Sequence, residues 1–238
     1  MKSEKRQESF HSSPFTLHTS IIIPTLNEEE RIGATIESAF AAGAAEVIVV
    51  DGGSVDRTAR FAKSAGARVL LGEAMRARQL NLGASAAVND VLIFLHADTL
   101  LPRGAAHAVG DALAGGADFG GFRIAFAEPA RKLRMAAVLI NLRTAITRCP
   151  WGDQAQFIRR ERFLQTGGFR EIPLMEDYDL AIRMKKLGRP IILPLTVTTS
   201  GRRFLRKGVL RTAMINWRTV MRFRRGADVA ELARSYRR

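Results

Sequence analysis

Three short polar clusters each follow an apolar run, and each carries a carboxylate: Thr25-Leu26-Asn27-Glu28, Asp51-Gly52-Gly53-Ser54-Val55-Asp56 and His96-Ala97-Asp98. A fourth acidic group, Glu176-Asp177-Tyr178-Asp179, follows the turn formers Gly167-Gly168 and Pro173. Asp51 precedes two glycines that permit close backbone approach, which suits a carboxylate meeting a nucleoside base or ribose; the same residue also suits an Asx turn or a helix cap. Asp56 fits equally well as a first-turn acid complementing a helix dipole. His96-Ala97-Asp98 sets an imidazole and a carboxylate two positions apart. A hard divalent cation takes one or two protein carboxylates and completes its shell with phosphate oxygens and water, and Asp98 fits that ligand type. Adjacent carboxylates such as Glu176 and Asp177 can hold one pKa near working pH, where a hydroxyl could be deprotonated; three acids in a first helical turn also complement the dipole.

The elements that must position these clusters are legible around them. SIIIP (Ser20 to Pro24) and EVIVV (Glu46 to Val50) are short apolar, β-branched runs that read as buried strands; Arg68 to Leu71 and VLIFL (Val91 to Leu95) supply two more. Helices are expected between them, from a cap at Asn27, from a cap at Ser54 to about Ala65, from Met75 to Ala87, and with Pro102 at a first helical position. Strands alternating with helices at this spacing argue for right-handed crossovers and an α/β fold: a mostly parallel, Rossmann-like sheet with helices on both faces. After Gly116 the expected order is a strand from Asp118 to Phe126, a basic amphipathic helix from Arg131 to Arg148, strands at Gln154 to Ile158 and Ile191 to Val197 with a helix from Asp177 to Leu187 between them, then one or two basic helices. Ligands of such sheets bind beyond the carboxyl ends of the strands, where the first three clusters fall.

Composition narrows the classes. With 238 residues, 47% hydrophobic and 25% charged, the chain can bury one large core. Cys149 is the only cysteine, which excludes an internal disulfide or a cysteine-based zinc cage and fits a reducing compartment, with packing as its role. Residues 1–18 read as a flexible polar tail without a signal-peptide run. The most apolar window, Leu133 to Ile146, is broken by Arg134 and Arg143 and falls short of the ~20 residues a bilayer span needs. A cytoplasmic placement is expected. The loop after the first strand reads PTLNEEE rather than a glycine-rich turn, and its glutamates would repel a phosphate, so dinucleotide and P-loop readings weaken.

Together these clusters resemble the family 2 glycosyltransferases of the GT-A fold. PTLNEEERI, VVDGGSVDRT, FLHADT and GGF…MEDYDL occur in family order from about Ser20 to Ser200, and RARQLNLGA and WGDQAQFIRRERF are similar to a subgroup of small soluble bacterial members. The resemblance implies a GT-A domain over residues 19–201, a basic helical extension over 202–238, and transfer of a sugar from a nucleoside-diphosphate donor to an acceptor hydroxyl or phosphate with inversion. It implies that Pro24, Thr25, Asn27 and Glu28 line the nucleotide pocket and that Asp51, beside Gly52, contacts base or ribose. Arg78 and Gln79 would lie near the diphosphate or sugar, and Asp98, after His96 and Ala97, would hold a divalent cation, Mn²⁺ or Mg²⁺. Asp177 would be the catalytic base with Glu176 beside it, and Asp153 and Gln154 would face the acceptor or donor sugar. Two departures stand out. His96 replaces the first acid of the usual D-x-D, and Arg202-Arg203 stand where a histidine often follows the last strand, so Arg202 could neutralise the diphosphate itself.

The net charge of +14 is concentrated at the C-terminus, where twelve Lys or Arg from Arg202 onward face two acids. These alternate with apolar residues at helical spacing, so the tail either packs on the core with a solvated arginine face or lies on the inner face of an anionic membrane. Membrane contact would suit a lipid or polyprenyl-phosphate acceptor. A nucleic-acid partner is disfavoured by few aromatics and by acidic strand ends, and a nucleotidyltransferase by the absence of a basic glycine-rich loop. A nucleotide-sugar-binding protein without turnover is the remaining alternative.

Overall fold

The computed structural model describes residues 17–237. Its strands are β1 (Thr19–Thr25), β2 (Glu46–Asp51), β3 (Arg68–Leu71), β4 (Val91–Phe94), β5 (Thr99–Leu100), β6 (Phe119–Phe126), β7 (Gln156–Arg159) and β8 (Pro190–Thr199). Its helices are α1 (Ile32–Ala41), α2 (Thr58–Ser64), α3 (Arg76–Ala86), α4 (Ala105–Ala114), α5 (Arg131–Thr147), α6 (Arg160–Gln165), α7 (Glu176–Leu187), α8 (Arg202–Lys207), α9 (Val209–Arg224) and α10 (Val229–Arg237), with a 3₁₀ turn at Gly152–Gln154.

The strands form one sheet in the order β3-β2-β1-β4-β7-β6-β8-β5. Pairings from β3 to β4 and between β6 and β8 are parallel, whereas β7 and the two-residue β5 run against their neighbours, so the sheet is mostly parallel as expected. Alternate side chains leave opposite faces of each strand, and both faces are covered. Ile21 and Ile23 join α1, α2 and α4 in one core; Ile22 joins α3, α6 and α7 in the other. α3 lies so close to β1 that a Cβ on Gly83 would fall 2.4 Å from Ile22 Cγ2. Any larger residue there would push the helix off the sheet.

Several boundaries differ from the sequence reading. The first helix begins at Ile32, not after Asn27, because Asn27 takes a left-handed backbone (φ 54°) and turns its amide to another loop. Ser54 does not cap α2, which begins at Thr58; its hydroxyl donates to Asp51 instead. Pro102 lies three residues ahead of α4, where its carbonyl accepts the Ala105 N–H. The strand expected from Gln154 begins at Gln156, after the 3₁₀ turn. Most of the expected tail lies outside the described residues, but Leu17 packs on the core and the His18 carbonyl accepts the Val91 N–H, so its last two positions belong to the fold. Cys149 is buried, which pushes its thiol up to about 11 and fits the packing role.

The C-terminal helices pack on the domain. Val220 and Phe223 of α9 lie against the second core, and the Phe223 ring meets Tyr178 edge-on at 6.1 Å. No helix among the described residues is long and apolar enough to cross a membrane.

Candidate active site

The carboxyl ends of β1 and β2 are tied together by side chains. Asn27 donates its N–H to Ser54 Oγ (2.9 Å) and accepts the Val55 N–H at Oδ1 (2.9 Å), while the Glu28 N–H reaches Thr58 Oγ1 (2.8 Å). Asp56 accepts from Thr58 and from the Glu29 N–H, and Glu29 accepts from Arg57. Asp51, 4% exposed, accepts the Ser54 N–H and hydroxyl in an Asx turn. Gln79 is also buried, and its amide donates to the Thr25 and Val50 carbonyls (2.9 and 2.8 Å), so it clamps β1 to β2 rather than facing solvent. Pro24 and Thr25 end β1, and a Cβ on Gly52 would meet Gln79 Nε2 and the backbone of Ala74 at 3.1 Å.

Beyond β4, Thr35 Oγ1 donates to the Ala97 carbonyl and fixes the turn that presents His96 and Asp98. Arg202, the first residue of α8, lies with Nη2 2.5 Å from Glu28 Oε1 and 3.3 Å from Asp98 Oδ2. One cation from the C-terminal extension thus bridges acids from two strand ends. The other oxygen of Glu28 is buried with no hydrogen-bond partner, and burial raises the Asp98 pKa above its ordinary value. Both features come from burial against nearby cations: Arg31 lies 3.5 Å from that same Glu28 oxygen, and Arg202 opposes the rise at Asp98. No three metal-ligating side chains cluster among the described residues. Two carboxylates, with the remaining positions left to phosphate oxygens and water, nonetheless suit a cation that arrives with a diphosphate.

The second half of the site is built by α7 and the Gly152–Gln154 turn. Asp177 Oδ2 accepts the Gly152 N–H at 2.6 Å and Oδ1 accepts the Tyr178 N–H at 2.7 Å. A Cβ on Gly152 would lie 2.7 Å from His96 Nε2 and 3.0 Å from Asp177 Oδ2, so only glycine lets the β4 end and α7 meet here. Desolvation, with Arg76 nearby, lowers the His96 pKa to about 3, and the ring is neutral at working pH. Glu176 is buried and lies 3.1 Å from Arg76, which is half-exposed. Gln154 is fully buried: its Oε1 accepts from Arg143, Thr144 and the Trp151 N–H, and its Nε2 donates to the Phe122 carbonyl. Arg143 stacks over the Trp151 ring at 3.8 Å. Asp153 points one oxygen to a buried position without a partner. Three non-glycine residues flanking these groups, Asn27, Ala155 and Met175, hold left-handed backbone, which costs on the order of 1–3 kcal/mol each and persists where surrounding structure dictates it.

The structure thus brings Glu28, Asp98, Arg202, His96, Asp177 and Glu176 to one end of the sheet. It places Arg78 elsewhere, paired with Glu73 and Glu171 on the outer side of α3. The arginine of RARQ that reaches the acids is Arg76. Gln79 and Gln154, expected to face ligand, are interior clamps: Gln79 donates to two strand carbonyls, and Gln154 satisfies both ends of its amide inside the fold. Sequence reasoning missed Arg76, Arg143 and Gly152, although a helical-phase argument within RARQ could have separated Arg76 from Arg78.

Burial, opposed by Arg143 and aided by Asp177, pushes Asp153 up to about 6 from 3.8. A raised carboxylate favours the protonated fold, so stability present below about pH 4 is lost as pH rises through 6. Asp153→Asn should therefore raise the melting point at pH 7.5 by the equivalent of about 1–3 kcal/mol and change it little near pH 4. Thermal denaturation of both proteins across that range checks this; a pH-independent difference would refute it.

The sequence profile described as "Glycosyl transferase family 2" matches residues 20–169. No curated protein sequence matches the chain. Among solved structures, the mannosyltransferase PcManGT from Pyrobaculum calidifontis, in complex with GDP-Man and Mn²⁺, is similar over 87% of this chain and 62% of its own, with 19% identity and a TM-score of 0.63. S. aureus TarS 1-349 is similar over 77% of this chain and 60% of its own, with 15% identity and a TM-score of 0.61. Glucosyl-3-phosphoglycerate synthase from Mycobacterium tuberculosis, in complex with Mn²⁺ and UDP-glucose, is similar over 77% and 70%, with 22% identity and a TM-score of 0.55. The chain spans less than two thirds of the length of the first two. The structural likeness supports the fold, and the profile, covering more than half the chain, shows that this protein belongs to glycosyl transferase family 2.

Proposed function

We propose that the chain transfers a glycosyl group from a nucleoside-diphosphate sugar to an acceptor hydroxyl or phosphate by a single displacement that inverts the anomeric centre. The observation that carries this reading is the meeting of the β4 end with α7: Asp98 and His96 on one side, Asp177 on the other, joined through Gly152. Donor and acceptor would then meet at this junction, the donor from the β4 end and the acceptor from α7. The nucleoside would rest on the β1 and β2 ends, against Pro24, Thr25, Asn27 and Asp51.

Asp98, with Glu28 beside it, would hold a divalent cation that arrives with the diphosphate; such an ion neutralises charge developing on the leaving phosphate. The chain's own residues do the rest. The Gly152 N–H orients Asp177 so that its carboxylate takes the proton of a hydroxyl acceptor as the new O–C bond forms and the bond from the anomeric carbon to the phosphate oxygen breaks, while an ionised phosphate acceptor would attack without that transfer. Neutral His96 fills the gap between Asp177 and the β4 end without adding charge. Gln79 and Gln154 position the loops that present Asp51 and Asp153. For the acceptor we propose a lipid-borne group, polyprenyl phosphate included, met at the cytoplasmic face of a membrane.

Thermal shift against UDP-, GDP-, dTDP- and CDP-sugars, with Mn²⁺, Mg²⁺ or EDTA, tests the donor. A ligand at a hundred times its dissociation constant adds about 2.7 kcal/mol, so one nucleotide series should raise the melting point clearly. No shift with any of them would overturn donor binding.

A further inference from the structure

α5 is apolar on two opposite sides. Leu133, Ala136, Ala137 and Thr144 face the core. Met135, Val138, Leu139, Leu142 and Ile146, spaced i, i+3, i+4, i+7 and i+11, form a second stripe facing outward, each between 55% and 72% exposed. A helix serving only the core carries polar residues on that side. α9, which packs against α5, repeats the arrangement with Leu210, Met214 and Trp217, 50–84% exposed. Contiguous outward apolar side chains on neighbouring helices mark an interaction surface.

The charges identify the partner. α5, α8 and α9 contain no Asp or Glu, while Arg131, Lys132 and Arg134 sit at the start of the α5 stripe and Arg206, Lys207, Arg211 and Arg218 accompany that of α9. A second copy meeting this face about a two-fold axis would press cations against cations. A nucleic acid would leave the apolar stripes unburied. A surface that is anionic outside and hydrocarbon beneath complements both features, because leucine, methionine and tryptophan enter the acyl boundary while arginine and lysine remain among the headgroups.

We infer that the outward face of α5 and α9, extended by α8, is a docking surface for an anionic lipid bilayer. The docked helices carry residues of the site: Arg143 of α5 bonds Gln154, and Arg202 of α8 reaches Glu28 and Asp98. Docking therefore fixes the site relative to the membrane plane. The inference goes beyond the proposed lipid acceptor by assigning the surface, and it can fail while sugar transfer stands, because its test reads lipid binding alone.

The full chain is sedimented with vesicles of phosphatidylcholine, and with vesicles containing about a third phosphatidylglycerol. Binding to the anionic vesicles should be stronger by at least about tenfold, should fall with added salt, and should shift tryptophan emission to the blue, a shift absent in Trp217→Phe. The double variant Leu139→Glu with Met214→Glu, both at exposed positions, should lose at least about tenfold of that binding while keeping its melting point. Equal recovery with both vesicle types, or a double variant that binds like the parent, would overturn the inference. So would a concentration-dependent doubling of mass that the double variant abolishes, which would give the face to a second copy.

Discussion

Asp177→Asn is expected to lower kcat by about 10³-fold while leaving donor affinity within a factor of about three. The asparagine carbonyl can still accept the Gly152 N–H that Asp177 Oδ2 accepts at 2.6 Å, giving up only the Tyr178 N–H on Oδ1, so the turn and its approach to His96 survive. What is lost is the proton acceptor. No neighbour replaces it. His96, held to about 3, is too weak a base to take the acceptor's proton. Glu176 is buried against Arg76, and freeing it would leave an unpaired guanidinium beside the site. Asp153, raised to about 6, is the carboxylate beside Asp177, in the 3₁₀ turn, which makes Asp153→Asn the control. That variant should retain activity within about tenfold. Steady-state kinetics with calorimetric donor binding separates the two. If Asp153→Asn abolishes turnover and Asp177→Asn does not, the base is Asp153 and α7 does not supply it.

The parts of this site that the sequence disclosed are those set by continuous local patterns. The apolar runs ending at Pro24, Val50 and Leu95 are strands buried on both faces, so their ends, and the carboxylates there, could be located without tertiary knowledge. The starts of the first two helices could not, because Asn27 and Ser54 answer to each other across 27 positions and not to the helices that follow them, whereas the expected starts at Met75, Arg131 and Asp177 fall within a residue of those observed. The exchange of Arg76 for Arg78 has a similar cause. Two helical positions differ by about 200° of rotation, so which arginine faces the strand ends depends on a helix start that sequence leaves uncertain by a residue or two. Gln79 and Gln154 were misplaced for a different reason. A polar side chain near a cleft reads as ligand-facing, yet these amides are buried and donate to the Thr25, Val50 and Phe122 carbonyls. Strand direction was equally hidden, since nothing local in Gln156–Arg159 says that β7 runs against β4. The outward stripe of α5 was present as a spacing all along, but it acquires meaning only once Leu133, Ala136 and Ala137 are known to face the core.

Removing the divalent cation should weaken donor binding by at least about 30-fold, and Asp98→Asn should reproduce that loss with no further response to EDTA. Charge is the reason. Glu28 and Asp98 bring two negative charges together, and Arg202 supplies one positive charge between them. Arg31, 3.5 Å from Glu28, is shared with Glu30. A diphosphate entering this region adds about two further negative charges, so the arginine bridge leaves the complex well short of neutrality. Removing one partner from a desolvated charge pair costs about 2–5 kcal/mol, which corresponds to about 30- to 5,000-fold in affinity. The cation alone should bind weakly, since two carboxylates already bridged by an arginine offer it little; with a nucleoside diphosphate present, the phosphate oxygens complete its shell and both ligands should tighten together. Calorimetric titration of Mn²⁺ with and without the nucleotide measures that coupling. Arg202→Ala separates this account from its rival. If the cation neutralises the diphosphate, this variant, by freeing Glu28 and Asp98, should bind Mn²⁺ alone more tightly and keep metal-dependent donor binding. If Arg202 itself neutralises the diphosphate, donor binding will be indifferent to EDTA in the parent and will collapse in Arg202→Ala, and the cation has no place in this site.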